Sequence, residues 1–189
     1  MLSLLSLLAI SNFNLFKYSS WNYSIQTEIK DAPIITDDGL NMYLTSSNTT
    51  IDVYHFKNHD GNSSQLKCSF WHDIKQINTQ NLFIPPILDN ENNILYLLSS
   101  DNYLIAYDLS LPGDFFNGYC YPPSMISKNK LAFIQGRVNS PGILNTRGNT
   151  IYFGTIYPDN TLYAVDIHGD LLWKFHTYDS ILSSPILSD

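Results

Sequence analysis

Residues 149–189 read NTIYFGTIYPDNTLYAVDIHGDLLWKFHTYDSILSSPILSD. Apolar and polar residues alternate through Ile151–Gly154 and again through Leu162–Asp166. That is the two-residue period of a strand whose sides meet different surroundings. Pro158-Asp159-Asn160 and His168-Gly169-Asp170 break the alternation with residues suited to tight turns. A further alternating run carries Trp173, and the stretch closes on Ser184-Pro185-Ile186. Proline cannot donate to a ladder and so suits the start of a strand.

The same plan occurs twice upstream. PIITDDGLNMYLTSSNTTIDVYHF starts at Pro33 and PILDNENNILYLLSSDNYLIAYDL at Pro86; both superpose on PGILNTRGNTIYFGTIYPDNTLYAVDI from Pro141. Tyr43, Tyr96 and Tyr152 stand ten or eleven residues beyond those prolines. In the following strand Ile51-x-Val53-x-His55 matches Leu104-x-Ala106-x-Asp108 and Leu162-x-Ala164-x-Asp166. Tryptophans precede the prolines as well: Trp21 and Trp173 by twelve residues, Trp71 by fifteen. Asp37-Asp38-Gly39, Asn92-Asn93 and Arg147-Gly148-Asn149 supply the turns into the tyrosine strands.

Each copy therefore reads as four short antiparallel strands, the last one bearing the tryptophan, and no window of ten or more residues carries a helical period. Repeated four-stranded units predict an all-β chain, a β-propeller. Blades are expected at about 32–71, 85–121 and 140–175, with the first strand of a further blade at 183–189. Alternation assigns Tyr152, Gly154, Leu162, Ala164 and their counterparts to packed faces. About three blades plus flanking strands make an incomplete ring, since closed propellers have roughly four to eight. Uncapped repeats leave an apolar face open at each end, so the chain is expected to be a piece of a longer parent or to be completed by another chain.

The residues SPGI, NTIYFGT and NTLYAVDIHGDLLWKF resemble the pyrroloquinoline-quinone-type repeat of the quinoprotein alcohol dehydrogenase-like superfamily, over roughly Trp21 to Asp189. The second copy, LYLLSSDNYLIAYDL, lacks a following tryptophan, and the first has His55 in place of the aspartate. The resemblance implies structural roles for Trp21, Trp71 and Trp173, wedged between blades, and for Asp108, Asp166 and Gly169, which tie off turns. A tryptophan so buried would cost about 3–5 kcal/mol on truncation to alanine. A quinone-dependent dehydrogenase would also need calcium held by Glu, Asn and Asp on the propeller axis, a catalytic Asp and a disulfide between adjacent cysteines. Here Cys68 and Cys120 are far apart, and Glu28 and Glu91 stand in connecting polar stretches.

Other chemistry finds no footing. His55 and His59 run along a strand into a turn and lack a third ligand. Asp37-Asp38 precedes Gly39 and reads as a turn. Residues 89–93 (DNENN) and 158–160 (PDN) lack the spacing of a calcium loop. Gly-x-Ser-x-Gly, Gly-x-Gly-x-x-Gly and P-loop sequences are absent. No catalytic, cofactor-binding or metal residue is assigned, and no cofactor is expected.

Charge narrows the partners. The formal net charge is −7, and the 19 Asn outnumber the 10 Lys and Arg together. Nucleic-acid affinity rests on neutralising phosphates with cations, which excludes that class. Leu2–Ile10 is an apolar run of the length of a signal-peptide core, too short to span a bilayer, and Ala9-Ile10-Ser11 offers a cleavage site. No Lys or Arg precedes it. Residues 1–11 are thus expected as a signal peptide and 12–189 as the propeller part. Asn22, Asn48 and Asn62 head glycosylation sequons. Cys68 and Cys120 read either as one disulfide in an oxidising compartment or as two thiols. The reading is a non-catalytic propeller domain of an exported protein in an extracytoplasmic compartment, binding an unknown protein partner or the remainder of its propeller, without a membrane span. The alternative is a fragment of a quinone-dependent dehydrogenase whose active-site blades lie elsewhere.

Overall fold

The computed structural model describes residues 33–37, 41–45, 50–56, 64–71, 84–110 and 124–188. These form three four-stranded antiparallel sheets, each wound in sequence order, and no helix occurs among the described residues. The first comprises β1 (Ile34–Ile35), β2 (Asn41–Thr45), β3 (Thr50–Phe56) and β4 (Ser64–Trp71). The second comprises β5 (Ile87–Asp89), β6 (Ile94–Leu98), β7 (Tyr103–Asp108) and β8 (Ser124–Lys130). The third comprises β9 (Ile143–Leu144), β10 (Thr150–Gly154), β11 (Thr161–Asp166) and β12 (Leu171–His176).

Register shows how closely the copies agree. Ile34, Ile87 and Ile143 pair with Tyr43, Tyr96 and Tyr152. Those tyrosines pair in turn with Val53, Ala106 and Ala164. Immediately after Val53, Ala106 and Ala164 the ladder to the fourth strand shifts, a β-bulge at the same place in all three sheets. A bulge adds local twist, so the repeat extends to an irregularity that no single residue type advertises.

Two sequence expectations are corrected here. The second sheet closes with Ser124–Lys130, beyond residue 121. That strand is largely polar (SMISKNK) and has no tryptophan, so the pattern that marks β12 is missing. In the first sheet Cys68, not Trp71, stands opposite Val53, the place that Trp173 holds opposite Ala164. Trp71 lies three residues further along, opposite Thr50. Spacing to the next proline had equated the two tryptophans, but a spacing runs through a connection of variable length, whereas register is set by the ladder.

Packing is face on face. Each sheet has a face bearing the tyrosine of its second strand, the tyrosine face, and a reverse face. In the second sheet Ile87, Tyr96, Leu98, Leu104 and Ala106 lie on the tyrosine face and join Ile151, Phe153, Tyr163 and Val165 on the reverse face of the third in one core. Its own reverse face, with Leu95, Leu97, Ile105 and Tyr107, clusters with Tyr43 of the first sheet. The order is constant: the tyrosine face of one sheet meets the reverse face of the next. Gly142 lets β9 approach β5, for a Cβ there would lie 2.6 Å from Ile87 Cδ1 and 2.8 Å from Leu98 Cδ1.

Alternation in the third sheet therefore has a different meaning from the one expected. Ile151, Phe153, Tyr163 and Val165, on the reverse face, are fully buried, while Tyr152 and Leu162 are half-buried. A middle sheet is covered on both sides. Among the described sheets, the third has a neighbour on one side.

Candidate functional site

The tyrosine face of the third sheet is the tyrosine face that no described sheet covers. Register sets Tyr152, Ala164 and Trp173 in one row across it, and Gly154, Leu162 and Phe175 in the next. The Tyr152 and Trp173 rings lie 5.8 Å apart, tilted by 43°, beside the fully buried Ala164. Trp173 remains 46% exposed and Phe175 64% exposed. The indole is thus not wedged between two described sheets; its ring contact is within its own sheet. At the other end of the face the chain turns back on itself. The Ile181 amide donates to the Thr155 carbonyl at 3.1 Å, and the Ile181 side chain occupies the space that a Cβ on Gly154 would need. Ser140 also fastens Gly154, its hydroxyl accepting from the Gly154 amide at 2.6 Å and donating to the Gly154 carbonyl at 3.3 Å.

The same face carries no acidic or basic side chain in its middle. Asp166 stands at its rim, with its carboxylate committed: Oδ1 accepts from the backbone amides of His168 (2.9 Å) and Asp170 (2.8 Å). Gly169 completes that turn at φ 89°, a left-handed conformation that favours glycine, and it sits over Leu131 and Asn129 of the preceding unit. Asp108 is used in the same way. The hydroxyl and amide of Ser110 both donate to its carboxylate and hold it below the usual aspartate range. Residues 183–188, the segment expected as a further first strand, form no ladder.

Two polar devices were missed in the sequence. Asn102 and Asn160, at φ 67° and 45°, stand two residues before Leu104 and Leu162 and grip the connection that leaves each sheet. Asn102 Nδ2 donates to the Gly136 carbonyl at 2.9 Å, and its Oδ1 accepts from the Val138 amide at 3.3 Å. The Asn160 carbonyl accepts from the Thr177 amide at 2.8 Å, and its Oδ1 from Ser180 Oγ at 3.2 Å. The signal was the recurrence of Asn at one place in two copies.

The second device is a buried acid. Asp159, 5% exposed, accepts from the Tyr163 hydroxyl (2.9 and 3.1 Å to its two oxygens) and from Thr161 Oγ1 (3.0 Å), which also lies 3.1 Å from His176 Nδ1. Burial first, and Asp159 second, raise the Tyr163 hydroxyl well above the ordinary tyrosine value of 10.0. Burial, then Asp89, push Tyr96 the same way. A phenol whose folded-state pKa is raised supports stability below the unfolded value and loses that support as pH climbs past it. Stability is therefore expected to fall above about pH 10. Tyr163→Phe should cost about 1–3 kcal/mol at neutral pH, because Asp159 stays buried with one donor fewer, and should flatten the alkaline fall, Tyr96 supplying what remains. Urea titrations from neutral to alkaline pH check both; an unchanged alkaline slope in the variant would refute the assignment.

A cleft of about 320 Å³ lies between the first two sheets, lined among others by Asp37, Tyr43, Leu88, Asn90 and Glu91. The Asp37 amide donates across it to Asn90 Oδ1 at 3.3 Å. Among the described residues no three His, Cys, Asp or Glu side chains come together as a metal-binding group, and no helix is long and apolar enough to cross a membrane. Trp21, Asn22, Asn48, Asn62 and Cys120 lie outside the described residues, and Cys68 is placed by its register alone.

No family model matches the chain, and no curated protein matches it. Solved structures do resemble it. BamB from Moraxella catarrhalis superposes at a TM-score of 0.53 with 11% identity, over 82% of this chain and 40% of that one. The β-propeller domain of Cps50 (Swd1) from Myceliophteria thermophila superposes at 0.50 with 11% identity, over 78% of this chain and 43% of that one. The chain thus spans about two fifths of either structure. At such identity the likeness is one of fold, and it agrees with sheets of four antiparallel strands stacked face on face. The described part of the chain is built as β-propeller blades.

Proposed function

We propose that the chain is a protein-binding or scaffolding module of an exported protein, built from pyrroloquinoline-quinone-type repeats and without catalytic duty. One observation carries the reading: a sheet face that presents Trp173 and Phe175 to solvent, uncharged in its middle, on a fold whose other tyrosine faces are covered by protein. Contiguous exposed aromatic surface of this kind marks interaction sites. Export is supported by the Leu2–Ile10 run and by the sequons at Asn22, Asn48 and Asn62. The superfamily assignment is supported by the Tyr-x-Gly-Thr and Leu-Tyr-Ala-x-Asp elements of the third copy.

A photo-crosslinking amino acid at position 175, in the full chain expressed in its native host, is the test. A covalent protein adduct is expected from position 175. None is expected from position 174, which the register sets on the other face opposite Tyr163. Equal labelling from both positions, or from neither, would sink the reading.

A further inference from the structure

We propose that the tyrosine face of the third sheet seats a three-stranded antiparallel sheet of a partner protein, and that residues 185–188 of this chain join that sheet as its first strand. Donor segment and partner strands together make a further blade. The proposal rests on the protein-binding reading above and names the kind of partner. Twice along the chain a tyrosine face meets the reverse face of the sheet that follows it. Those reverse faces are apolar, with Leu95, Leu97, Ile105 and Tyr107 in the second sheet and Ile151, Phe153, Tyr163 and Val165 in the third. On the open face Ile143, Tyr152, Leu162 and Ala164 hold the places that Ile87, Tyr96, Leu104 and Ala106 hold on the occupied one. The same seat calls for the same kind of occupant.

The chain past β12 is laid like the connection into a next sheet. Where it leaves the second sheet the Leu131 amide donates to the Asn102 carbonyl, and where it leaves the third the Thr177 amide donates to the Asn160 carbonyl, both at 2.8 Å. The first connection runs to Ser140-Pro141 and β9, the second to Ser184-Pro185. Leu131, Ile134 and Val138 of the first are buried in the core shared with the third sheet, whereas Leu182 and Ile186 of the second are exposed. Residues 185–188 thus stand where a first strand begins, with no second strand beside them among the described residues. First strands here are two or three residues long, so the segment suffices for one. A segment that adds to a sheet edge binds through main-chain hydrogen bonds, with alternate side chains giving specificity.

The outer strand of the seat speaks for a separate protein. Where the second sheet's tyrosine face ends in Ser127 and Asn129, opposite Ala106 and Leu104, the third has Trp173 and Phe175, opposite Ala164 and Leu162. Aromatic residues are enriched, and charged ones depleted, at the core of interfaces between proteins.

A photo-crosslinking amino acid at position 175 or 187 of the full chain, in its native host, tests the strand donation. Both positions are expected to capture the same protein. Ile186→Pro/Leu187→Pro removes whichever amide donates to the partner's ladder and touches no strand of the three sheets. It should abolish capture from position 175 and keep the thermal melt of the parent. In the complex captured from position 175, the amides of 186–188 are expected to be protected from hydrogen exchange, and in the isolated chain to be unprotected. Undiminished capture by the proline variant would overturn the proposal and leave the binding reading standing. So would unprotected amides at 186–188 in the complex, or an adduct to a second copy. An adduct within the chain itself, or none from position 175, would overturn both.

Discussion

Phe153→Ala is expected to cost about 3–5 kcal/mol, and Trp173→Ala no more than about 1–2 kcal/mol. Phe153 is fully buried between the third and second sheets and stacks on Tyr163, with ring centroids 5.6 Å apart and planes 22° from parallel. Removing it opens a cavity bounded by strands of two sheets, which cannot close together without breaking the packing around Tyr96, Leu98 and Leu104. Trp173 is the larger side chain, but nearly half of it faces water and its ring partner among the described residues is Tyr152. Its truncation leaves a dent in the surface. His168→Ala, in an exposed turn, should stay within about 0.5 kcal/mol. Urea titrations of the three variants check the order, and a Trp173 effect equal to that of Phe153 would show the indole buried after all.

Asn102→Ala is expected to cost about 2–4 kcal/mol, and Asn160→Ala about 1–2 kcal/mol. At φ 67° an alanine is disfavoured by roughly 1–2 kcal/mol, a strain that asparagine tolerates better. The same change strips the Gly136 carbonyl of its donor and the Val138 amide of its acceptor, and Val138 is fully buried in the core shared by the second and third sheets. Water cannot easily replace that acceptor, so the desolvation cost is felt in full. Gly136 leaves no slack either, because a Cβ there would lie 2.7 Å from Asp159 Cβ and press on the Ile156 carbonyl. Asn160 holds a looser connection. At φ 45° it brings alanine the same left-handed strain, but its carbonyl bonds to Thr177 survive the substitution, and the one bond lost is a 3.2 Å contact from a half-buried serine. Thermal melts of the two variants should therefore separate, with the Asn102 variant the lower; coincident melts would mean that the first connection is held by its apolar side chains alone.

The repeat could be read because its signals are local. Proline at a strand start, a turn of Asn, Asp or Gly, a tyrosine on an alternating strand, and Leu-x-Ala-x-Asp each restrict the backbone within a few residues. Three copies of one local grammar were enough for an all-β fold of four-stranded units, and the pairing of Tyr43, Tyr96 and Tyr152 with Val53, Ala106 and Ala164 follows that alignment. β8 stayed hidden because SMISKNK carries none of those marks; it becomes a strand because β7 offers it an unpaired edge. Trp71 was equated with Trp173 because a spacing counted along the chain cannot see a register. Which face is covered was beyond the sequence for a deeper reason: burial belongs to a pair of sheets, not to one. Tyr96 and Tyr152 occupy the same place in their repeats, yet Tyr96 is 2% exposed and Tyr152 half-buried, since a sheet lies on the first and none of the described sheets lies on the second. By itself the sequence determined the strands, their turns and the repeat. Only the stacking of the sheets decided which apolar residues became core and which, Trp173 and Phe175 among them, were left exposed.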